Sequence, residues 1–209
     1  MAHHQFRSRR PKGAANADGL HEAFKVKGSA AVRAALARLE MEGLVERERY
    51  RGARVRLISE AEAIEILEVR AALESLAARY AAQQVAPLES DQLCGIIAEM
   101  ERRIAARDLL GSSELNSQLH GSILQISRHT AAIRLLEMLK PQQVRYQYRT
   151  ILVPGRPEQS LCEHRAIVEA VTSHDADRAE QAMRRHLNQV AEALRQVAFE
   201  RRKKESTDE

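Results

Sequence analysis

Aromatic residues make up only 3 % of this 209-residue chain and tryptophan is absent, so the interior has to be built from Leu, Ile, Val and Ala, as helical proteins prefer. Cysteine is scarce as well. Cys94 and Cys162 lie far apart and follow no metal-binding or redox spacing, which excludes a disulfide framework and leaves buried free thiols as the expectation. No run of 18 apolar residues occurs, and the opening MAHHQFRSRRPKG has no apolar core of a secretory signal. A membrane partner is therefore not expected, and a cytoplasmic location is. Past Leu57 there is no strand-like alternation and no internal repeat.

What is present is unevenly charged. Residues 1–58 hold 13 Lys and Arg against 6 acids, a net of +7 in a chain whose total is +4, so the remainder carries −3. A basic first part on a mildly acidic second part suits a protein whose N-terminal portion meets a polyanion.

The run Ser29 to Leu57 refines that reading. Val32, Ala35, Leu36 and Leu39 fall on one face of a helix, with Arg33 and Arg38 flanking the opposite face. Gly43 supplies a left-handed cap. A strand from Leu44 to Arg49 and a partner from Arg54 to Leu57, with Val55 and Leu57 inward, make a two-stranded wing around the turn Tyr50-Arg51-Gly52-Ala53. Arg49, Arg51, Arg54 and Arg56 gather at its tip, where guanidinium groups can reach phosphates or a minor groove. Helix, glycine and basic hairpin together point to DNA.

Ser59-Glu60-Ala61-Glu62 reads as a capping box opening a long helix. Helices are expected over 61–83, 87–107, 109–127, 130–151, 157–173 and 175–202, with Pro87 and Pro157 in first turns and Pro141 kinking or splitting the fourth. The fold class expected is mainly α: a partly truncated or degenerate winged helix-turn-helix followed by an antiparallel bundle of about six helices. Its parts are a polar basic segment (1–19), the winged module (20–58), the helical domain (59–204) and a tail (205–209).

Three histidines stand out within the bundle. His164 lies 11 residues before Asp175 and His186 lies 11 after it, so a turn at Asp175 places both at one depth, roughly 16 Å from the turn. Asn116 and His120 share a face of a third helix. Three imidazoles and an oxygen donor would fill four positions of a metal shell. His21, His129 and His174 lie near expected helix ends and read as surface or capping residues; His3 and His4 belong to the polar tail.

The segment Val32-Arg33-x-x-Leu36-x-Arg38-Leu39-Glu40-x-Glu42-Gly43-Leu44-Val45, followed by Arg51-Gly52-Ala53-Arg54-Val55, resembles the winged helix of GntR-type bacterial transcription regulators. Glu68-Val69-Arg70-x-x-Leu73-Glu74, Asn116-x-x-x-His120, Glu163-His164-x-x-Ile167 and Met183-x-x-His186-Leu187 resemble the FadR C-terminal (FCD) effector domain. The resemblance implies a homodimer on a palindromic operator, released or altered when a small organic acid enters the bundle, often beside a divalent metal of the Zn or Ni class. It places His120, His164 and His186 on the family's histidine ligands. Asn116 stands where the family has an aspartate; its amide oxygen is neutral and a weaker ligand, so a bound ion would keep its full +2 charge and favour an anion. Arg70 has two readings, a carboxylate clamp and a helical pair with Glu74, and the pair is favoured.

The resemblance departs at the reading head. Where most members open the recognition helix with Ser-Arg-Thr-Pro, this chain has Gly28-Ser29-Ala30-Ala31, and the groove-facing surface is Ala30, Ala34 and Ala37. Ser29, Arg33, Arg38, Arg49, Arg51, Gly52 and Arg54 are the DNA-contacting candidates. Residues 1–18 offer no first helix, and Leu20 to Phe24 leaves only a short second one, so the module is incomplete, starts too late, or has lost DNA binding. The regulator reading stands beside two others: a ligand-binding dimer with a degenerate head, and a metalloenzyme, disfavoured because no general base stands beside the histidines.

Overall fold

The computed structural model describes residues 14–15, 29–48 and 52–205, without side chains at 14, 15, 29, 48, 141–149 and 204–205. The chain forms two compact units, Met1–Leu57 and Ile58–Glu209.

In the first unit, α1 (Ser29–Met41) buries Val32 and Leu36 against Ala53. Gly43, at φ 68°, ends it. The Leu44 amide bonds the Leu39 carbonyl at 2.9 Å and the Gly43 amide bonds the Glu40 carbonyl at 3.0 Å, the paired closure that a left-handed glycine permits. The hairpin follows as β2 (Val45–Glu48) and β3 (Gly52–Val55), with Glu48 opposite Gly52 and Val45 opposite Val55. Gly52 takes φ 93°, which begins β3 two residues before the expected Arg54 and lets Ala53 pair with Arg47.

Three expectations change here. Val55 and Leu57 are exposed and Ala53 is the inward residue: Leu57 lies beyond the strand's end, and Val55, its last residue, joins no buried cluster. Ala35 is exposed and Leu39 only partly buried, so α1 has a narrower apolar face than its periodicity suggests. The sheet has three strands in the order β1-β3-β2, because β1 (Ala14–Ala15) pairs antiparallel with β3 and covers its open edge. Arg49, Arg51, His3, His4, His21, the rest of residues 1–19 and the short helix of Leu20 to Phe24 lie outside the described residues.

The second unit is an antiparallel bundle of α2 (Glu60–Gln84), α3 (Pro87–Ala105), α4 (Leu109–Ile126), α5 (Thr130–Ile151), α6 (Arg156–Thr172) and α7 (Ala176–Glu205). The Ser59 hydroxyl accepts from the Glu62 amide at 3.1 Å and starts α2. Asp108, His129 and Asp175 cap α4, α5 and α7 in the same way, at 2.9, 3.2 and 3.0 Å. α2 is the hub, packed against α4, α5, α6 and, most extensively, α7. Its buried stripe is mostly alanine (Ala71, Ala77, Ala78, Ala81, Ala82), and side chains that small let the other helices approach closely. The same stripe carries Arg70, Glu74 and Ser75.

α5 runs unbroken through Pro141, so the expected split does not occur; proline removes one ladder bond, and the packing of α5 on α2 and α7 keeps the rest of the helix in place. Cys94 and Cys162 are free thiols but exposed, not buried: each falls between core positions of its helix, on the solvent side. His174, at φ 58°, turns α6 into α7 and bonds the Ala82 carbonyl of α2 through Nδ1 at 2.9 Å.

Candidate metal centre and its cavity

The α6–α7 hairpin sets His164 and His186 side by side, with Nε2 atoms 3.2 Å apart. α4 delivers His120, whose Nε2 lies 3.4 Å from that of His164. Ligands about 2.0–2.1 Å from a tetrahedral ion stand about 3.3 Å from one another. The His164–His186 and His120–His164 spacings match that figure, and the donor atoms of all three imidazoles lie within 4.8 Å of one another. His164 and His186 are 1 % and 3 % exposed. Burial first, and the neighbouring histidines second, keep His164 well below the ordinary histidine range; burial, His120 and Arg156 do so for His186. A neutral imidazole keeps the lone pair that a metal needs.

Two of the three outer nitrogens are held by carboxylates, while His164 Nδ1 is buried with no hydrogen-bond partner among the described residues. Glu74 accepts from His120 Nδ1 at 2.5 Å, and Glu163 accepts from His186 Nδ1 at 2.7 Å. Each acid is held in turn by an arginine. Arg70 Nε donates to Glu74 at 2.7 Å, and both side chains are buried. Arg156 grips Glu163 with both terminal nitrogens, at 3.0 and 2.9 Å. Burial alone would raise the Glu74 carboxyl, but Arg70 and His120 outweigh it and hold it at about 2. Glu163 goes the other way, raised by its burial in spite of Arg156. Two Arg–Glu–His chains thus fix the ring planes so that both Nε2 atoms face inward, the arrangement in which an outer carboxylate strengthens a metal-ligating histidine.

The three histidines open onto a cavity of about 80 Å³, room for a molecule of a few non-hydrogen atoms. Asn116, Arg70, Arg156, Ser112, Ser113 and Thr150 supply its polar wall, and Leu67, Met100 and Leu187 part of its apolar one. No Asp or Glu is among its lining residues that are described. Two arginines reach the cavity wall while their partner carboxylates, Glu74 and Glu163, stand behind it, so the described lining offers an anion hydrogen-bond donors and no acid to repel it.

The structure thus brings His120, His164, His186, Asn116 and Arg70 to one cavity. Arg70 pairs with Glu74 as its helical spacing suggests, and it lines the cavity as well. His129 caps α5 and stacks edge-on against Tyr80, 5.1 Å between centroids. Sequence reasoning missed Arg156 and the supporting roles of Glu74 and Glu163. A signal was available, since Arg156 and Glu163 are seven residues apart and share a helical face.

The DNA-contacting candidates lie in the other unit. Arg33 and Arg38 are exposed on α1, and Arg38 bonds Glu42 at 3.0 Å. Arg54 bonds Glu46 at 2.9 Å across the hairpin. Ser29 opens α1 and Gly52 opens β3. Ala30 and Ala34 are exposed and Ala37 partly so.

Residues 65–189 match the FCD domain. The transcriptional repressor RspR of Escherichia coli is 30 % identical over 169 residues, covering 81 % of this chain and 74 % of its own. The E. coli repressor GlaR is 29 % identical over 77 % of this chain and 76 % of its own. Among solved structures, E. coli McbR/YncC superposes with a TM-score of 0.72 at 18 % identity, over 88 % of each chain, a likeness of fold. The chain belongs to the GntR family of transcription regulators, in the group that carries an FCD domain. It is a regulator and not an enzyme. No described helix is long and apolar enough to cross a membrane.

Proposed function

We propose that this GntR-type regulator is a repressor that binds operator DNA as a homodimer through its winged units and responds to a small carboxylate held beside a divalent ion in its helical unit. His120, His164 and His186 would hold the ion, and Asn116 would offer a neutral oxygen. An ion there supplies a positive centre for a carboxylate oxygen. With Asn116 in place of an acid, no carboxylate of the described cavity wall would occupy a coordination position of the ion. The repressor part draws on the names of RspR and GlaR. The observation that carries the effector part is the convergence of three histidines on a cavity whose described lining includes Arg70 and Arg156 and no acid.

A second reading, a ligand-binding dimer whose head no longer recognises an operator, draws on the alanine surface of α1. A mobility-shift assay with the flanking genomic DNA at low salt decides between them. A shift that changes on adding Zn2+ with a small carboxylate is the expected result. No shift from protein confirmed to be a folded dimer would sink the repressor reading.

A further inference from the structure

We infer that Arg156 is the residue that anchors the anion, and that its chain through Glu163 to His186 makes anion and metal binding mutually dependent. The inference rests on the reading of the cavity as an anion site beside an ion. Arg156 lines that cavity, is 5 % exposed, and spends only its two terminal nitrogens on Glu163. Its Nε is buried with no hydrogen-bond partner among the described residues. A buried guanidinium donor left unmatched is costly, so a carboxylate in the cavity that turns the guanidinium toward itself would gain a hydrogen bond that Arg156 now lacks. Arg70 is different: its Nε is already committed to Glu74.

Glu163 sits between the Arg156 guanidinium and the His186 ring, bridging them through the same oxygen, Oε2. When an anion takes part of the Arg156 charge, Glu163 is held less by the arginine and its negative charge falls more fully on the His186 N–H. That makes the opposite nitrogen a stronger donor to an ion. A metal drawing on His186 strengthens the His186–Glu163 bond in turn and loosens Glu163 from Arg156, leaving the arginine readier for an anion. The two ligands therefore help one another by the same factor, as linkage requires.

The test measures Zn2+ affinity of the full chain by competition with a colorimetric chelator, with and without succinate, a small dianion. Wild type should bind Zn2+ about tenfold more tightly in succinate, the range ordinary for coupled sites. R156Q should keep its Zn2+ affinity within about tenfold, as its three histidines remain, while the succinate effect falls below about twofold. The wild-type succinate factor in R156Q would overturn the inference. If R156Q loses its cooperative melting transition, R156K replaces it: lysine keeps the charge without the planar fork, so a reduced factor supports the inference and an unchanged one overturns it. Wild type that binds Zn2+ with no succinate effect overturns the Arg156 inference alone. Wild type that binds no Zn2+ removes the metal reading beneath it as well.

Discussion

Both units pair arginine with glutamate, and they do so in opposite surroundings. In the winged unit, Arg38 with Glu42 and Arg54 with Glu46 are solvent-exposed. In the bundle, Arg70 with Glu74 is buried, and Arg156 with Glu163 is buried at the arginine and half-buried at the acid. An exposed pair is worth little and is screened by salt, so its arginine can leave for a DNA phosphate at small cost. A buried pair cannot be opened without stranding a charge in low dielectric, at about 3–5 kcal/mol. The exposed pairs suit contacts made and broken with a polyanion; the buried pairs suit a scaffold that holds three imidazoles at fixed spacing and yields only to a ligand that replaces what it displaces.

The core follows the same contrast. The winged unit's described core is Val32, Leu36 and Ala53, whereas the bundle buries a continuous cluster from Ala63 to Leu194. The largest effect is expected in the bundle: Leu93→Ala removes a fully buried side chain and should cost about 2–5 kcal/mol of its unfolding free energy in urea, leaving the winged unit's surface chemistry untouched. A loss below 1 kcal/mol would mean the bundle is looser than its burial indicates. Next, Glu163→Gln should weaken Zn2+ binding about 10–100-fold, because the amide is a poorer partner for the His186 N–H. An unchanged affinity in a chelator competition would show that Glu163 serves Arg156 only.

On the other side of the comparison, Arg33→Ala should weaken operator binding by about 1–3 kcal/mol if it reads a base, with Zn2+ affinity unchanged, measured by mobility shift and chelator competition on one preparation. Equal weakening on unrelated DNA would make it a phosphate contact instead. The smallest effect is at the joint: Ser59→Ala removes the N-cap of α2 and should cost about 1 kcal/mol, read as a lower melting temperature.

The helical half was legible in the sequence because its signals are local: Ser59, Asp108 and Asp175 cap where short polar residues should, and the positions equidistant from Asp175 do meet. Legibility failed where a contact depends on how elements pack. Glu163 lies about 100° from His164 on its own helix, which hides from the sequence that it serves His186 on the neighbouring one. Pro141 looked like a helix breaker because the cost of a lost ladder bond is local, whereas the packing that offsets it is not. In the winged unit, alternation suggested Val55 and Leu57 as core, but a face that α1 covers only at Val32 and Leu36 buries Ala53 and nothing beyond it. The third strand comes from a pairing with Ala14–Ala15 that no local pattern announces.

The claim on which the account turns is that His120, His164 and His186 hold one divalent ion. Elemental analysis of the full chain after incubation with Zn2+ or Ni2+ and dialysis tests it directly, with His164→Ala alongside. The account predicts about one ion per chain for wild type and none for His164→Ala, with the variant still folded and still shifting operator DNA. A ratio near zero in wild type, or a His164→Ala variant that retains the ion, would contradict it.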